Sequence, residues 1–170
     1  MEIRLVTGLD ATDFRAIRLR ALRESPDAFG STLAEEQERT IGEVAARLAD
    51  PEAGFVLGAA EAGGPLVGIA GCHRQSGRKR RHTAIVWGMF VAPEARGRGV
   101  GGALLDAVIA RAREWDGVEQ LTLTVVPDVT AARALYISRG FEPFGLEPRA
   151  MRYGARHFDL EYLRLPLGRR

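Results

Sequence analysis

Cysteine occurs once in this chain, at Cys72, lysine once, at Lys79, and asparagine not at all. A single thiol forms no intrachain disulfide and supports no cysteine-based zinc cluster, which fits a reducing, cytoplasmic setting. The three histidines, His73, His82 and His157, are scattered without metal-ligand spacing, so no metal is expected. Long apolar runs are missing too. None approaches the ~20 residues of a membrane span, and Met1-Glu2-Ile3-Arg4 lacks the form of a signal peptide, so no membrane partner is expected. The net charge is only +2, too little to argue for nucleic acid. The basic residues are almost all arginine, a bias that fits a GC-rich genome better than a functional demand. Arg78-Lys79-Arg80-Arg81 is the one basic run. It lies between two apolar segments with no interleaved aromatic for base stacking, and reads as a solvated hairpin tip.

What remains is ordinary for a soluble globular protein. The 170 residues are 46% hydrophobic and 27% charged. That length predicts one domain over residues 1–170, burying roughly 70% of its unfolded surface.

The apolar pattern predicts a first strand at 3–6, then a helix with Phe14, Ile17, Ala21 and Leu22 at helical spacing. Asp10 or Thr12 is its candidate cap, and Ser25-Pro26-Asp27 its end. A polar stretch, 28–39, carries Glu35, Glu36 and Glu38. Thr40-x-x-Glu43 is a capping box for a helix ending near Asp50-Pro51. Segments 54–60 and 66–73 read as a hairpin, 83–91 as a central strand and 121–126 as a half-buried strand. Thr130 is placed to cap a helix through Tyr136, and 141–146 and 158–165 read as final strands. In the last of these, Phe158, Leu160 and Tyr162 fall on one face and Leu163 and Leu165 on the other. A bulge or two-sided burial explains such a phase change. The sum is an α/β (α+β) fold: a mixed, mostly antiparallel sheet flanked by helices.

The most informative stretch is Arg96-Gly97-Arg98-Gly99-Val100-Gly101-Gly102. It follows the apolar run 85–91 and opens a helix read from about 101 to 115. A glycine-rich turn at a helix start gathers backbone N–H groups at the positive end of the helix dipole, where a phosphate binds. The chain's only lysine is outside this turn, which removes the loop ending in Gly-Lys-Ser/Thr. Gly97-x-Gly99-x-x-Gly102 matches the bare dinucleotide spacing. A Rossmann turn, however, follows its strand almost directly, and here Ala92-Pro93-Glu94-Ala95-Arg96 intervene. Too little chain follows for a second mononucleotide half. A nicotinamide-dependent oxidoreductase is thus the weaker alternative.

Val91-x-Pro93, then Arg96-x-x-Gly99-x-Gly101 entering a Leu-rich helix, resembles the acetyl-coenzyme A motif of the GNAT superfamily of N-acetyltransferases. Ala132-x-x-Leu135-Tyr136-x-x-x-Gly140-Phe141 downstream resembles the same superfamily. The resemblance covers about residues 66–144. It implies a fold with a splayed pair of parallel strands, 83–91 and 121–126, and acetyl-coenzyme A as co-substrate. The pyrophosphate would rest on the main chain of Arg96, Gly97, Arg98, Gly99, Val100, Gly101 and Gly102. The pantetheine arm would pair with the backbone of Phe90 and Val91, and one strand N–H would polarise the acetyl carbonyl.

The reaction implied is attack of a neutral primary amine on the thioester through a tetrahedral intermediate. By resemblance Tyr136 is the acid for the departing thiolate, a phenol being suited to that task. A glutamate found on the central strand of some relatives is replaced here by Ile85, so the base is left open among Glu35, Glu36, His73, His82 and a water relay. Val129 stands where many relatives have asparagine. The acceptor site in this fold is usually built from the first helices and the last hairpin. Those regions supply Glu35, Glu36 and Glu38, of which Glu35 and Glu36 are expected to meet the amine, and Arg149, Arg152, Tyr153 and Arg156, suited to a carboxylate or phosphate. The expected partner is a small-molecule or peptide amine, with an amino acid among the candidates. A homodimer is compatible with the resemblance and is not decided by any apolar stripe. A non-catalytic acyl-coenzyme A sensor of the same fold is the other alternative.

Overall fold

A computed structural model describes residues 1–50 and 54–168. Seven strands form one mixed sheet: β1 (Glu2–Val6), β2 (Phe55–Ala60), β3 (Leu66–Arg74), β4 (Thr83–Val91), β5 (Gln120–Val125), β6 (Glu142–Tyr153) and β7 (Arg156–Pro166). Their order is β1-β2-β3-β4-β5-β7-β6. Every neighbouring pair is antiparallel except β4–β5, which is parallel. Five helices connect them: α1 (Ala11–Glu24), α2 (Leu33–Glu38), α3 (Ile41–Ala49), α4 (Val100–Ala112) and α5 (Thr130–Ser138).

The sheet is covered on both faces. Leu104, Leu105 and Val108 of α4 pack with Ala84, Val86, Leu121, Leu123, Tyr136 and Leu163 on one side. Phe14, Ile17 and Ala21 of α1 and Val44 of α3 pack with Val56, Ile69 and Phe90 on the other. β2 and most of β3 are therefore buried on both faces, which explains their continuous apolar runs.

One bulge shapes the middle of the sheet. Ile69 opposes Phe90 and Gly71 opposes Trp87, so β4 has one residue more than β3 over this step. Gly88 carries the extra residue with φ +66, a left-handed conformation suited to glycine. The insertion puts Trp87 and Phe90, three residues apart, on the same α1-facing side. Strict alternation would have separated them. β4 and β5 pair only from Thr83–Gln120 to Ile85–Thr122. Beyond Ile85 the two strands part, although β4 runs on to Val91 and β5 to Val125.

Several local expectations change. The polar stretch 28–39 contains a helix, α2, started by a Thr32–Glu35 capping box rather than remaining irregular. Asp10 does not cap α1 with its side chain. Its carboxylate instead accepts from the Thr7 N–H at 2.8 Å and from Arg4 Nη2 at 2.7 Å. Val129, not Thr130, holds the cap position of α5, without a side-chain bond. The Thr40–Glu43 capping box forms, and α3 ends at Ala49; Pro51, named as its stop, lies outside the described residues. The last two strands are longer than the apolar pattern indicated, because β6 is an exposed edge and carries no burial signal over much of its length. The phase change in β7 is two-sided burial: Leu163 and Leu165 face the α4 core, while Phe158 is buried on the opposite side.

Candidate functional site

The splay between β4 and β5 opens onto a cavity of about 450 Å³. Met89, Phe90 and Val91 form its strand wall, and Arg96, Gly97, Gly99, Val100, Gly101 and Gly102 its turn. The start of α5 closes it with Val129, Ala132 and Leu135, and the segment after α1 with Ser25, Ala28 and Phe29. Eight of the nine residues expected to bind cofactor thus line one cleft. Arg98 does not: its Nη2 is 2.7 Å from Glu61 Oε1, on the exposed rim.

The turn is shaped by its backbone. Gly97 and Gly99 have φ of +72 and +78, which L side chains rarely adopt. Gly99 is the N-cap of α4, so the first N–H groups of that helix, which have no intrahelical acceptor, open beside the cleft. Gly101 faces the cleft between Leu135, Met89 and Val91, and a Cβ at Gly102 would run into the Arg139 guanidinium. Arg96 braces the strand end: its Nε donates to the Val91 carbonyl at 2.9 Å, with its guanidinium 5.9 Å from the Phe90 ring centre.

Tyr136 is buried on α5 with its ring edge-on to Phe141, the centroids 5.9 Å apart. Burial pushes its phenol up to about 12, so it stays protonated at neutral pH. It is not among the cavity-lining residues; Leu135 and Ala132 of the same helix are. Glu35 is exposed and commits its carboxylate to the Thr32 N–H and hydroxyl, bonds that hold its pKa below the usual carboxylate value. Glu36 turns inward, 3.7 Å from Arg18 Nε and 3.4 Å from Arg39 Nε. Neither glutamate lines the cleft. His73 pairs with Ile85, at the end where β4 and β5 are still bonded, and burial lowers its pKa. His82 is exposed just before β4.

A second cavity, about 440 Å³, lies between the end of α1, residues 26–33 and the β6–β7 hairpin. Arg152, Tyr153, Met151 and Phe158 line its hairpin side, and Asp27, Phe29 and Thr32 the other. Arg156 Nη1 bonds Asp27 Oδ2 at 2.9 Å and ties the two sides together. Arg149 is 3.1 Å from His157 Nε2 and is not part of the lining. Phe29 belongs to both cavities and is their common wall. Sequence reasoning passed over it. Its signal was a lone aromatic in a polar stretch.

A central sheet with one splayed parallel pair, a glycine turn entering a helix at the splay, and a second cavity sharing Phe29 with the first make up the candidate site. The Acetyltransferase (GNAT) family profile matches residues 15–141, and the chain belongs to that family. It is 35% identical over 78 residues to an L-2,4-diaminobutyric acid acetyltransferase of Streptomyces anulatus, covering 46% of this chain and 43% of that one. It is 32% identical over 139 residues to a mycothiol acetyltransferase of Salinispora tropica, covering 79% of this chain and 42% of that one. The matched region thus spans under half the length of either relative. A GNAT phosphinothricin acetyltransferase of Sinorhizobium meliloti, solved in complex with AcCoA, superposes with a TM-score of 0.80. It is 23% identical, over 98% of this chain and 88% of that one, and shows the shared fold. Among the described residues, no helix is long and apolar enough to cross a membrane. No group of three His, Cys, Asp or Glu there is placed to hold a metal ion.

Proposed function

We propose that this protein transfers the acetyl group of acetyl-coenzyme A to a primary amine. The observation that carries this reading is the 450 Å³ cleft, in which the parted strand end and the Gly97–Gly102 turn meet. Backbone N–H groups at the start of α4 suit the pyrophosphate. The edge of β4 near Phe90 and Val91 that no longer pairs with β5, while β4 stays paired with β3, suits an amide-bearing arm, with a strand N–H on the acetyl carbonyl in the transition state. The amine arrives from the second cavity past Phe29, attacks the carbonyl carbon, and the tetrahedral intermediate expels the thiolate.

Tyr136 is the proposed proton donor to that thiolate. Its protonated phenol supports the role, and its place behind Leu135 and Ala132 requires it to reach the sulfur from the α5 side. Glu35 and Glu36 were expected to meet the amine. Glutamine at both positions tests this, and unchanged amine selectivity would remove them from the acceptor site. No dedicated base is needed if the amine enters neutral or loses its proton to water.

The deciding experiment is thermal unfolding with acetyl-coenzyme A, coenzyme A, NAD and NADP in parallel. A ligand at 100 times its Kd adds about 2.7 kcal/mol, which raises Tm by roughly 5–10 °C in a chain this size. A shift with acetyl-coenzyme A, followed by amine-dependent thiol release, is the expected result. A shift with NAD or NADP alone would overturn the reading. Binding without transfer to any amine would leave a sensor.

A further inference from the structure

Arg18 belongs to the apolar face of α1, in step with Phe14, Ile17, Ala21 and Leu22, yet it is charged and 6% exposed. Its partners do not satisfy it. Glu36 Oε1 is 3.7 Å from Nε, an ion pair longer than a good hydrogen bond. Phe29 covers one face of the guanidinium, its ring centre 4.8 Å from Cζ. Nη1 has no hydrogen-bond partner among the described residues. It faces Gly88, where even an added Cβ would stand 3.9 Å away. That glycine carries the bulge at which β4 leaves β5.

A second orphan lies one residue from Gly88 along β4. The Nε1 of Trp87, the residue before Gly88, is also buried without a partner, and the two complete the set of such side-chain atoms among the described residues. Trp87 packs on the same α1–α3 side of the sheet. Both orphans are donors. Buried donors are nearly always paired, and a buried guanidinium left short of acceptors is costly. The surrounding charge has the same sense. Burial lowers the Arg18 pKa, and Arg47 and Arg39 add to that against the opposing pull of Glu36. Glu36 is shared between Arg18 and Arg39, and Glu43 is committed to the Thr40 N–H and hydroxyl. The spot is short of an acceptor, not of a donor.

We propose that Arg18 is the carboxylate-binding residue of the acceptor site, so that the amine this protein acetylates carries a carboxylate. This rests on the acetyl-transfer reading and narrows its substrate class. A carboxylate accepts from a guanidinium in its own plane, the pairing arginine is shaped for. Phe29, whose ring covers the Arg18 guanidinium, is also the wall shared by both cavities, and this contact links Arg18 to them. Glu36 positions the guanidinium by holding Nε. Arg156 and Arg149 are engaged with Asp27 and His157, while Arg152 lines the second cavity and is the rival donor: loss of the carboxylate preference in Arg152→Gln but not in Arg18→Gln overturns the proposal.

The test compares matched amines that differ only in the carboxylate, such as 2,4-diaminobutyrate with 1,3-diaminopropane and each amino acid with its decarboxylated amine. In the wild type the carboxylate member is expected to have the higher kcat/KM by about 10- to 100-fold, the worth of a hydrogen bond to a charged group. In Arg18→Gln that ratio falls to near one, mainly through KM, and in Arg18→Lys it falls part of the way. A wild-type preference for the carboxylate-free amines overturns the proposal. So does a ratio that survives in a folded Arg18→Gln. The wild-type comparison needs no variant, so it stands even if glutamine at this buried site unfolds the chain. Calorimetric titration of wild type with the same pairs, with and without coenzyme A, reads the subsite without turnover. Equal affinity for both members overturns the proposal. Failure to bind coenzyme A is the separate failure of the acetyl-transfer reading.

Discussion

The cleft between β4 and β5 and the cavity under the β6–β7 hairpin are of nearly equal size, about 450 and 440 Å³, but they are built differently. The first is made by main chain: a bulge at Gly88, a strand that stops pairing at Ile85, and a turn with two positive-φ glycines before a helix. The second is made by side chains from distant segments, held by ion pairs such as Arg156–Asp27. A backbone site accepts any sequence that keeps its conformation, so it suits a ligand shared by a whole family. A side-chain site changes with single substitutions, so it suits the partner that differs between members.

The strongest test of this contrast is Tyr136→Phe. If the phenol serves the thiolate, kcat should fall by ~10²–10⁴ with acetyl-coenzyme A affinity nearly intact, as single-turnover kinetics with calorimetry will show. An unchanged kcat makes Tyr136 a core residue only, as its contact with Phe141 already makes it in part. Next comes Gly99→Val. A β-branched residue at φ +78 carries strain of about 1–3 kcal/mol, so acetyl-coenzyme A should bind roughly 10–100-fold more weakly. Arg98→Ala should change that affinity less than ~3-fold, since the side chain is an exposed partner of Glu61. A reversal of those two results would mean that charge, not main chain, holds the phosphates.

Phe29→Ala addresses the shared wall. It should raise KM for the amine and for acetyl-coenzyme A together, each by about tenfold, roughly the worth of one buried aromatic contact. An effect on only one substrate would separate the two cavities. The smallest expected effect is far from both. Arg4, with help from Thr7, holds the Asp10 carboxyl down at about 2. Because the folded value is depressed, this contribution is present above the ordinary carboxylate range near 4 and is lost as pH falls through about 2. Asp10→Asn should lower Tm slightly at neutral pH and flatten the acid limb of a Tm–pH curve between about 4 and 2.

The two regions were also unequally legible before the structure. The turn at 96–102 could be read because its chemistry is local: glycines at fixed offsets between a strand and a helix constrain the backbone whatever lies around them. The same held for the Thr40–Glu43 box, whose partners are three residues apart. Glu35 and Glu36 show the opposite. Adjacent in sequence and alike in charge, they separate into an exposed helix cap and a buried ion pair, because successive residues on α2 point about 100° apart. Arg18 left a trace, a charge in an apolar helical stripe, but the stripe alone does not say what faces the charge.

The sequence by itself determined the order of the strands and of every helix but α2, the glycine turn before α4 and the family resemblance, all of which rest on short-range geometry. Only the tertiary structure decided that one bulge at Gly88 brings Trp87 and Phe90 to the same face, and that Phe29 walls two cavities. It also decided that Arg18 meets Glu36 with one nitrogen left over. Those facts depend on where α1, α2 and the last hairpin pack on a common sheet. Packing is a property of the whole core, not of any segment that contributes to it.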